Sequence, residues 1–180
     1  MPFPESFRTE RLIAERLRPD HQDELRRMQT DPKHMAMLGG VQSEEQIRAY
    51  LERNLAHWDE HGFGVWMIRD AESGAMAGRA LLRHLTIADI DDVEVGYGFD
   101  PAFWGRGLAT EIARACLAHG RADLGLHTVV AITLLENTRS RHVLEKIGMT
   151  YERDVAHAGR THVLYRIRWD DERPPHRTGG

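Results

Sequence analysis

The stretch Asp100–Ala113, DPAFWGRGLATEIA, sets an aromatic pair directly before two glycines that flank an arginine, and then opens a helix. That helix carries Leu108, Ile112 and Cys116 as one apolar stripe. Its first backbone N–H groups have no partner inside the helix and point out of its positive end, which favours an anion. Gly105 and Gly107, with the small Ala109 behind them, let a phosphate reach the main chain without meeting a Cβ. A plain flexible turn would use the same residues. No Gly-Lys-Ser/Thr ending follows and the spacing departs from GxGxxG, so this is not a nucleotide P-loop.

The preceding segment, DDVEVGYGFD from Asp91 to Asp100, alternates as a strand. Val93, Val95, Tyr97 and Phe99 fall on one face, and Glu94, Gly96 and Gly98 on the other. One face is therefore nearly bare, with a single carboxylate at its end. Either something thin approaches it or a helix crosses it tightly. A bulge would shift this facing by one residue.

Outward from this centre, RLIAERLR (Arg11–Arg18) reads as a strand broken at Pro19, and HQDELRRMQ as a short helix capped by Asp20. A short turn follows. Ser43 opens a longer helix through a capping box with Gln46, its apolar face Ile47, Tyr50, Leu51, Leu55 and Trp58, and Gly62 stops it. GVWMIRD and AMAGRALLRHL form an antiparallel hairpin around Ser73 and Gly74. Beyond the quoted loop, a helix to about Asp123 leads to strand LHTVVAITLL, helix NTRSRHVLEKIG and two closing strands, Met149–His157 and Thr161–Trp169. The expected fold is α/β (α+β): a mixed, mostly antiparallel sheet of about seven strands with helices on both faces. No repeat or linker divides the chain, so 1–170 reads as one domain and 171–180 as a disordered tail.

Composition narrows function. With 180 residues, 41% hydrophobic, the chain suits a single core. The net charge of −4 and the interspersed basic residues offer no stripe for a phosphate backbone, so nucleic acid is not expected as a partner. Cys116 is the one cysteine, which excludes an internal disulfide and a cysteine zinc cluster. No apolar run suits a bilayer and the start MPFPESFRTE lacks a signal pattern; the expectation is a cytoplasmic protein without membrane contact.

A carboxylate-bearing strand, then FWGRGLATE, then a strand leading to ENTRSRHVLEKIGM, resembles the GNAT superfamily of acyl-CoA-dependent N-acetyltransferases, most closely the Rim-type branch of ribosomal-protein N-terminal acetyltransferases. The likeness also covers TERLIAERLRPDHQDEL and the end of the chain. The resemblance implies acetyl-CoA as co-substrate, no metal, and a primary amine, on a small molecule or a peptide, as acceptor; it allows a homodimer. Gly107 and Ala109 match the last fixed positions of the family's Q/R-x-x-G-x-G/A pyrophosphate segment, while Trp104 stands where Gln or Arg is usual. By the resemblance Arg106, Gly107, Leu108, Ala109 and Thr110 hold pyrophosphate. Val95, Gly96 and Tyr97 line the pantetheine along the bare-faced strand.

Direct attack on the thioester needs a neutral amine. Deprotonation at pH 7 costs about 1 kcal/mol for an α-amine and about 4 to 5 for a lysine. Glu94 is the candidate base and backbone N–H groups of Val95–Gly98 the candidate oxyanion donors. For the departing thiolate the branch resembles this chain in an Asn followed three residues later by Ser, here Asn137 and Ser140. The same pair is also an ordinary helix cap. Tyr151 and Tyr165 are alternative donors, and Arg106, Arg139 and Arg141 could pair with phosphates.

Two other classes compete. HWDEH, His57–His61, matches the H-x-x-E-H zinc-peptidase pattern, but it sits at a helix end before Gly62 and no third-ligand segment is evident. A non-catalytic acyl-CoA sensor would bind without turnover. The segment from His34 to Gly64 is expected to wall the acceptor site, offering Glu44, Glu45, Glu52, Asp59 and Glu60 to cations.

Overall fold

The computed structural model describes residues 3–169; the tail expected over 171–180 lies outside them. One eight-stranded sheet runs in the order β1-β2-β3-β4-β5-β6-β8-β7. Its strands are β1 (Ser6–Arg8), β2 (Leu12–Arg16), β3 (Val65–Asp70), β4 (Met76–Ile87), β5 (Ile90–Phe99), β6 (Thr128–Leu134), β7 (Thr150–His157) and β8 (Arg160–Arg168). The strand beyond the expected seven is β1, three residues laid antiparallel on β2.

The first half of the sheet is a meander from β2 through β5, each strand antiparallel to the last. Helix α4 (Leu108–Leu124) then crosses over to β6, which lies parallel to β5. After β6, α5 (Thr138–Lys146) leads to β7, and β8 returns between β6 and β7. Alternation along the strands divides the core. Trp66, Ile68, Ala80 and Leu82 pack with Leu108, Ile112, Cys116 and Leu144 of α4 and α5. Val65, Met67 and Leu81 pack on the other face with Leu25 and Met28 of α1 (Gln22–Gln29) and Ile47 and Leu51 of α3 (Glu44–His61). Helices thus cover both faces.

Ser43 and Gln46 make the expected capping box, and Gly62 ends α3 in a left-handed conformation. Asp20 does not cap α1. The chain already turns helically at Pro19–His21, whose opening is held by the Arg18 N–H donating to His21 Nδ1 at 2.9 Å, so Asp20 lies inside that turn. Proline pre-sets the backbone angle for such an early start. A short helix, α2 (Pro32–Met35), capped by Asp31, lies between α1 and α3.

Candidate active site

Strands β5 and β6 are in register only at Glu94 and Val130, and beyond that point they form no ladder. This fork is the opening the fold offers. The two-residue turn Ala88–Asp89 makes Ile87 and Ile90 a pair, and the ladder alternates from there. Main-chain groups of Glu94, Gly96 and Gly98 therefore face β4, and those of Val95 and Tyr97 face the gap toward β6. The Phe99 carbonyl is occupied by the Trp104 indole N–H at 2.7 Å.

The bare face of β5 is not the open side. A Cβ on Gly96 would meet Leu81 at 3.2 Å, and one on Gly98 would meet Leu38 at 2.9 Å with His34 Nε2 at 3.6 Å. On this face the glycines make room for Leu81, Leu38 and His34, while the main chain of Val95 and Tyr97 stays on the side of the gap. Strand β5 keeps an unbroken register with β4, without the bulge that would have re-aimed its faces.

At the far end of the gap, α4 begins at Leu108 with Gly107 as its N-cap, in the left-handed region at φ 76°. Among the described residues no side chain caps this helix, leaving the N–H groups of Leu108, Ala109 and Thr110 to face outward. Gly105 also has positive φ, and a Cβ there would meet nothing within 4 Å. A cradle of free N–H groups without side chains at a positive helix end suits pyrophosphate. Cations gather on Trp104, three residues before Gly107: Arg139 lies 5.2 Å and Lys33 5.6 Å from its ring. The half-exposed Arg106 stacks on Phe103 at 5.4 Å. Trp104, the departure from the family pattern, is thus a plate that gathers cations. Arg141 turns away to the Tyr165 hydroxyl and the Leu135 carbonyl.

Arg11 and Glu111 fix this helix end to the sheet. Glu111 accepts from Thr9 Oγ1 at 2.6 Å, the Arg11 N–H at 2.8 Å and Arg11 Nε at 2.7 Å, and Arg11 Nη1 donates to the Arg106 carbonyl at 2.7 Å. Burial alone would raise the Glu111 pKa, but these bonds outweigh it and hold the carboxyl below its ordinary value.

Glu94 stands at the apex of the fork, 6% exposed, and Oε1 accepts from Arg83 Nε at 2.7 Å. Burial disfavours the Arg83 charge, yet the charge and hydrogen bond of Glu94 together with Tyr50 outweigh this and raise its pKa. Arg83 Nη1 also reaches Asn54 Oδ1 of α3 at 3.4 Å. The carboxylate is therefore anchored through one oxygen.

Tyr97, on the opposite face, sends its hydroxyl to Ser140 of α5, 3.1 Å from Oγ and 3.2 Å from the carbonyl oxygen. Burial pushes its pKa up to about 12, with the Ser140 bond opposing, so it is a neutral donor at physiological pH. Asn137 caps α5 by accepting the Ser140 N–H at 3.2 Å. Tyr165 is engaged with Glu145 and Arg141, and the exposed Tyr151 with Asp154. The sequence reading missed the Tyr97 hydroxyl and Arg83. The second was signalled by the hairpin register that sets Arg83 opposite Glu94.

On the α1 to α3 side, His34 is 4% exposed with neither ring nitrogen in hydrogen-bond geometry among the described residues, and the Gln29 Oε1 and Tyr50 hydroxyl are likewise buried and unpaired. Burial and the nearby Arg79 charge lower the His34 pKa. Orphaned polar atoms cost stability unless water or a ligand meets them. The carboxylates expected to attract cations lie on the exposed face of α3, where Glu44 pairs with Arg26 and Asp59 with Arg16.

Residues 11–150 match the model of the acetyltransferase (GNAT) domain. The chain is 26% identical over 155 residues to the FsC-acetyl coenzyme A-N(2)-transacetylase of Aspergillus fumigatus, covering 81% of this chain and 65% of that protein. An acetyltransferase structure from Agrobacterium tumefaciens superposes with a TM-score of 0.80 at 26% identity, over 91% of this chain and 94% of the other. The ribosomal-protein-S5-alanine acetyltransferase of Vibrio fischeri shares the fold at 19% identity, with a TM-score of 0.75 over 94% and 99% of the two chains. No helix among the described residues is long and apolar enough to cross a membrane.

Proposed function

The chain belongs to the GNAT acetyltransferase family, and from that premise we propose that it moves the acetyl group of acetyl-CoA to a primary amine by direct attack on the thioester. The observation that carries this reading is the uncapped start of α4 behind Gly107, at the mouth of the gap between β5 and β6. Leu108, Ala109 and Thr110 N–H groups would hold the pyrophosphate, helped by Arg106 and Arg139, and the Val95 and Tyr97 main chain would hold the pantetheine arm. The thioester then falls near the fork, between Glu94 on one face and the Tyr97–Ser140 pair on the other.

Glu94 takes up the amine's proton through its second oxygen or a water, while Arg83 fixes its position. Tyr97, bonded to Ser140, supplies a proton toward the departing thiolate. The amine enters from the α1 to α3 side, where His34 and the Tyr50 hydroxyl offer polar atoms for its recognition. Both a peptide α-amine and a small-molecule amine suit this arrangement. The test is an amine panel with acetyl-CoA, read by thiol release, beside calorimetry for acetyl-CoA. Turnover with one amine class supports the reading; tight binding without turnover on any amine would make the protein an acyl-CoA sensor.

A further inference from the structure

The third histidine absent from the HWDEH segment comes from β4. His57 and His61 lie one turn apart at the end of α3, with ring centroids 4.5 Å apart, and His84 lies 4.5 Å from His61 and 5.7 Å from His57. One ligand atom from each ring lies within 4.8 Å of the others, with His57 half-buried and His61 and His84 exposed. The Phe63 carbonyl can only accept, so His57 Nδ1, 2.8 Å away, carries the ring proton. Its Nε2 therefore keeps a lone pair, aimed at the His84 backbone N–H at 3.1 Å. A backbone carbonyl that fixes the tautomer and orientation of an imidazole is the support metal-binding histidines use. The β3 ladder on β4 ends at Leu81 and the Leu82 N–H goes to the Gly64 carbonyl at 3.1 Å, so among the described residues no strand pairs with β4 at His84 on this side. Glu60 adds a carboxylate 3.7 Å from His61 Nε2.

We infer that His57, His61 and His84 form a site for one late first-row divalent cation of the zinc or nickel class. Imidazole donors favour those ions over magnesium or calcium, and water or Glu60 completes the coordination. To bind, the ion displaces the His84 N–H from His57 Nε2, and that exposed edge group turns to water. The site ties the end of α3 and the Gly62–Gly64 turn to β4. His84 pairs with Val93, one residue before Glu94 on the same strand, but the proposed acetyl transfer uses none of the three histidines.

The test is calorimetry on the untagged full chain after dialysis against chelator, titrated with Zn²⁺ and Ni²⁺, with Mg²⁺ as control. The expected result is one Zn²⁺ or Ni²⁺ per chain, no Mg²⁺ binding, and at least tenfold weaker affinity in both His61→Ala and His84→Ala. His162→Ala, which removes one of another adjacent histidine pair, should leave the affinity unchanged. Circular dichroism checks each fold, and His84→Gln replaces any variant that does not fold. Absence of saturable binding, or affinity unchanged in the His61 and His84 variants, overturns the site. In that case His57 serves only to lace the Phe63 carbonyl to the edge of β4.

Discussion

If Tyr97 and Ser140 deliver one proton as a unit, removing either hydroxyl should cost as much as removing both. Tyr97→Phe deletes the bonds of 3.1 and 3.2 Å to Ser140, and Ser140→Ala deletes the first of these while keeping the backbone N–H that Asn137 caps. The fold should therefore lose only about 0.5–1.5 kcal/mol in either variant, the net worth of a neutral hydrogen bond. The chemical step should lose far more. A positioned proton donor contributes about 10²-fold or more, equivalent to about 2.7 kcal/mol of barrier. Independent donors would give about 10⁴-fold in the double variant, whereas a relay gives again about 10²-fold. Single-turnover thiol release keeps slow product release from masking the effect. Because burial holds the Tyr97 pKa at about 12, its proton stays in place through pH 10, and the deficit should persist across that range. It should shrink with an acyl thiol of lower pKa. Rates within threefold of the parent in both single variants would reduce the pair to a helix-end brace, and a multiplicative double variant would refute the relay.

Other expectations follow from neighbouring contacts. Glu94→Gln retains an acceptor for Arg83 but not a proton acceptor, so its rate deficit should be greatest at low pH and narrow as the amine deprotonates unaided; pH profiles parallel to the parent would exclude the base role. Gly107→Val places a β-branched residue at φ 76°, which costs about 1–2 kcal/mol of turn strain, although the nearest neighbour of its Cβ, Arg11 Nη2, is a comfortable 3.7 Å away. It should weaken acetyl-CoA binding more than tenfold by calorimetry, and unchanged affinity in a folded variant would remove the loop from the site. Glu111→Gln should lower stability by about 2 kcal/mol at pH 7, since charge-assisted bonds from Thr9 and Arg11 lose their partner. The Glu111 carboxyl is held below its ordinary value of 4.5, so its contribution is complete above that value and fades as pH falls through the lower folded value. Urea midpoints of parent and variant should converge there.

Local pattern carried most of the fold. The Ser43–Gln46 box, the Gly62 stop and the β4–β5 alternation each act within a few residues, and each stands where the sequence places it. Two of the departures have local reasons of their own. Strand β1 is three residues long, too short for a period-two signal, and exists because β2 offers it an edge. Asp20 has the chemistry of a cap, but Pro19 starts the helical turn before it and leaves no capping position to fill.

The site divides along the same line. Gly105, Gly107 and the helix start after them form a contiguous segment, so a helix end without a side-chain cap could be read directly from the chain. The glycines of β5 illustrate what contiguity cannot give. A bare strand face reads alike whether a cofactor or the protein fills it, and only the packing of Leu81, Leu38 and His34 decides that the protein does. Tyr97 and Ser140 are 43 residues apart and meet because the α4 crossover sets α5 over the fork; no periodicity encodes that meeting. Glu94 shows the intermediate case. Its strand and face follow from alternation, and its partner Arg83 from the tight hairpin turn, but the fork beside it depends on β6 pairing at one position and no further. A carboxylate in an ion pair along a closed sheet would be a brace. Where β6 meets β5 at a single position, the same pair holds a fixed geometry, and the proposed base role rests on the Glu94 oxygen that Arg83 does not engage.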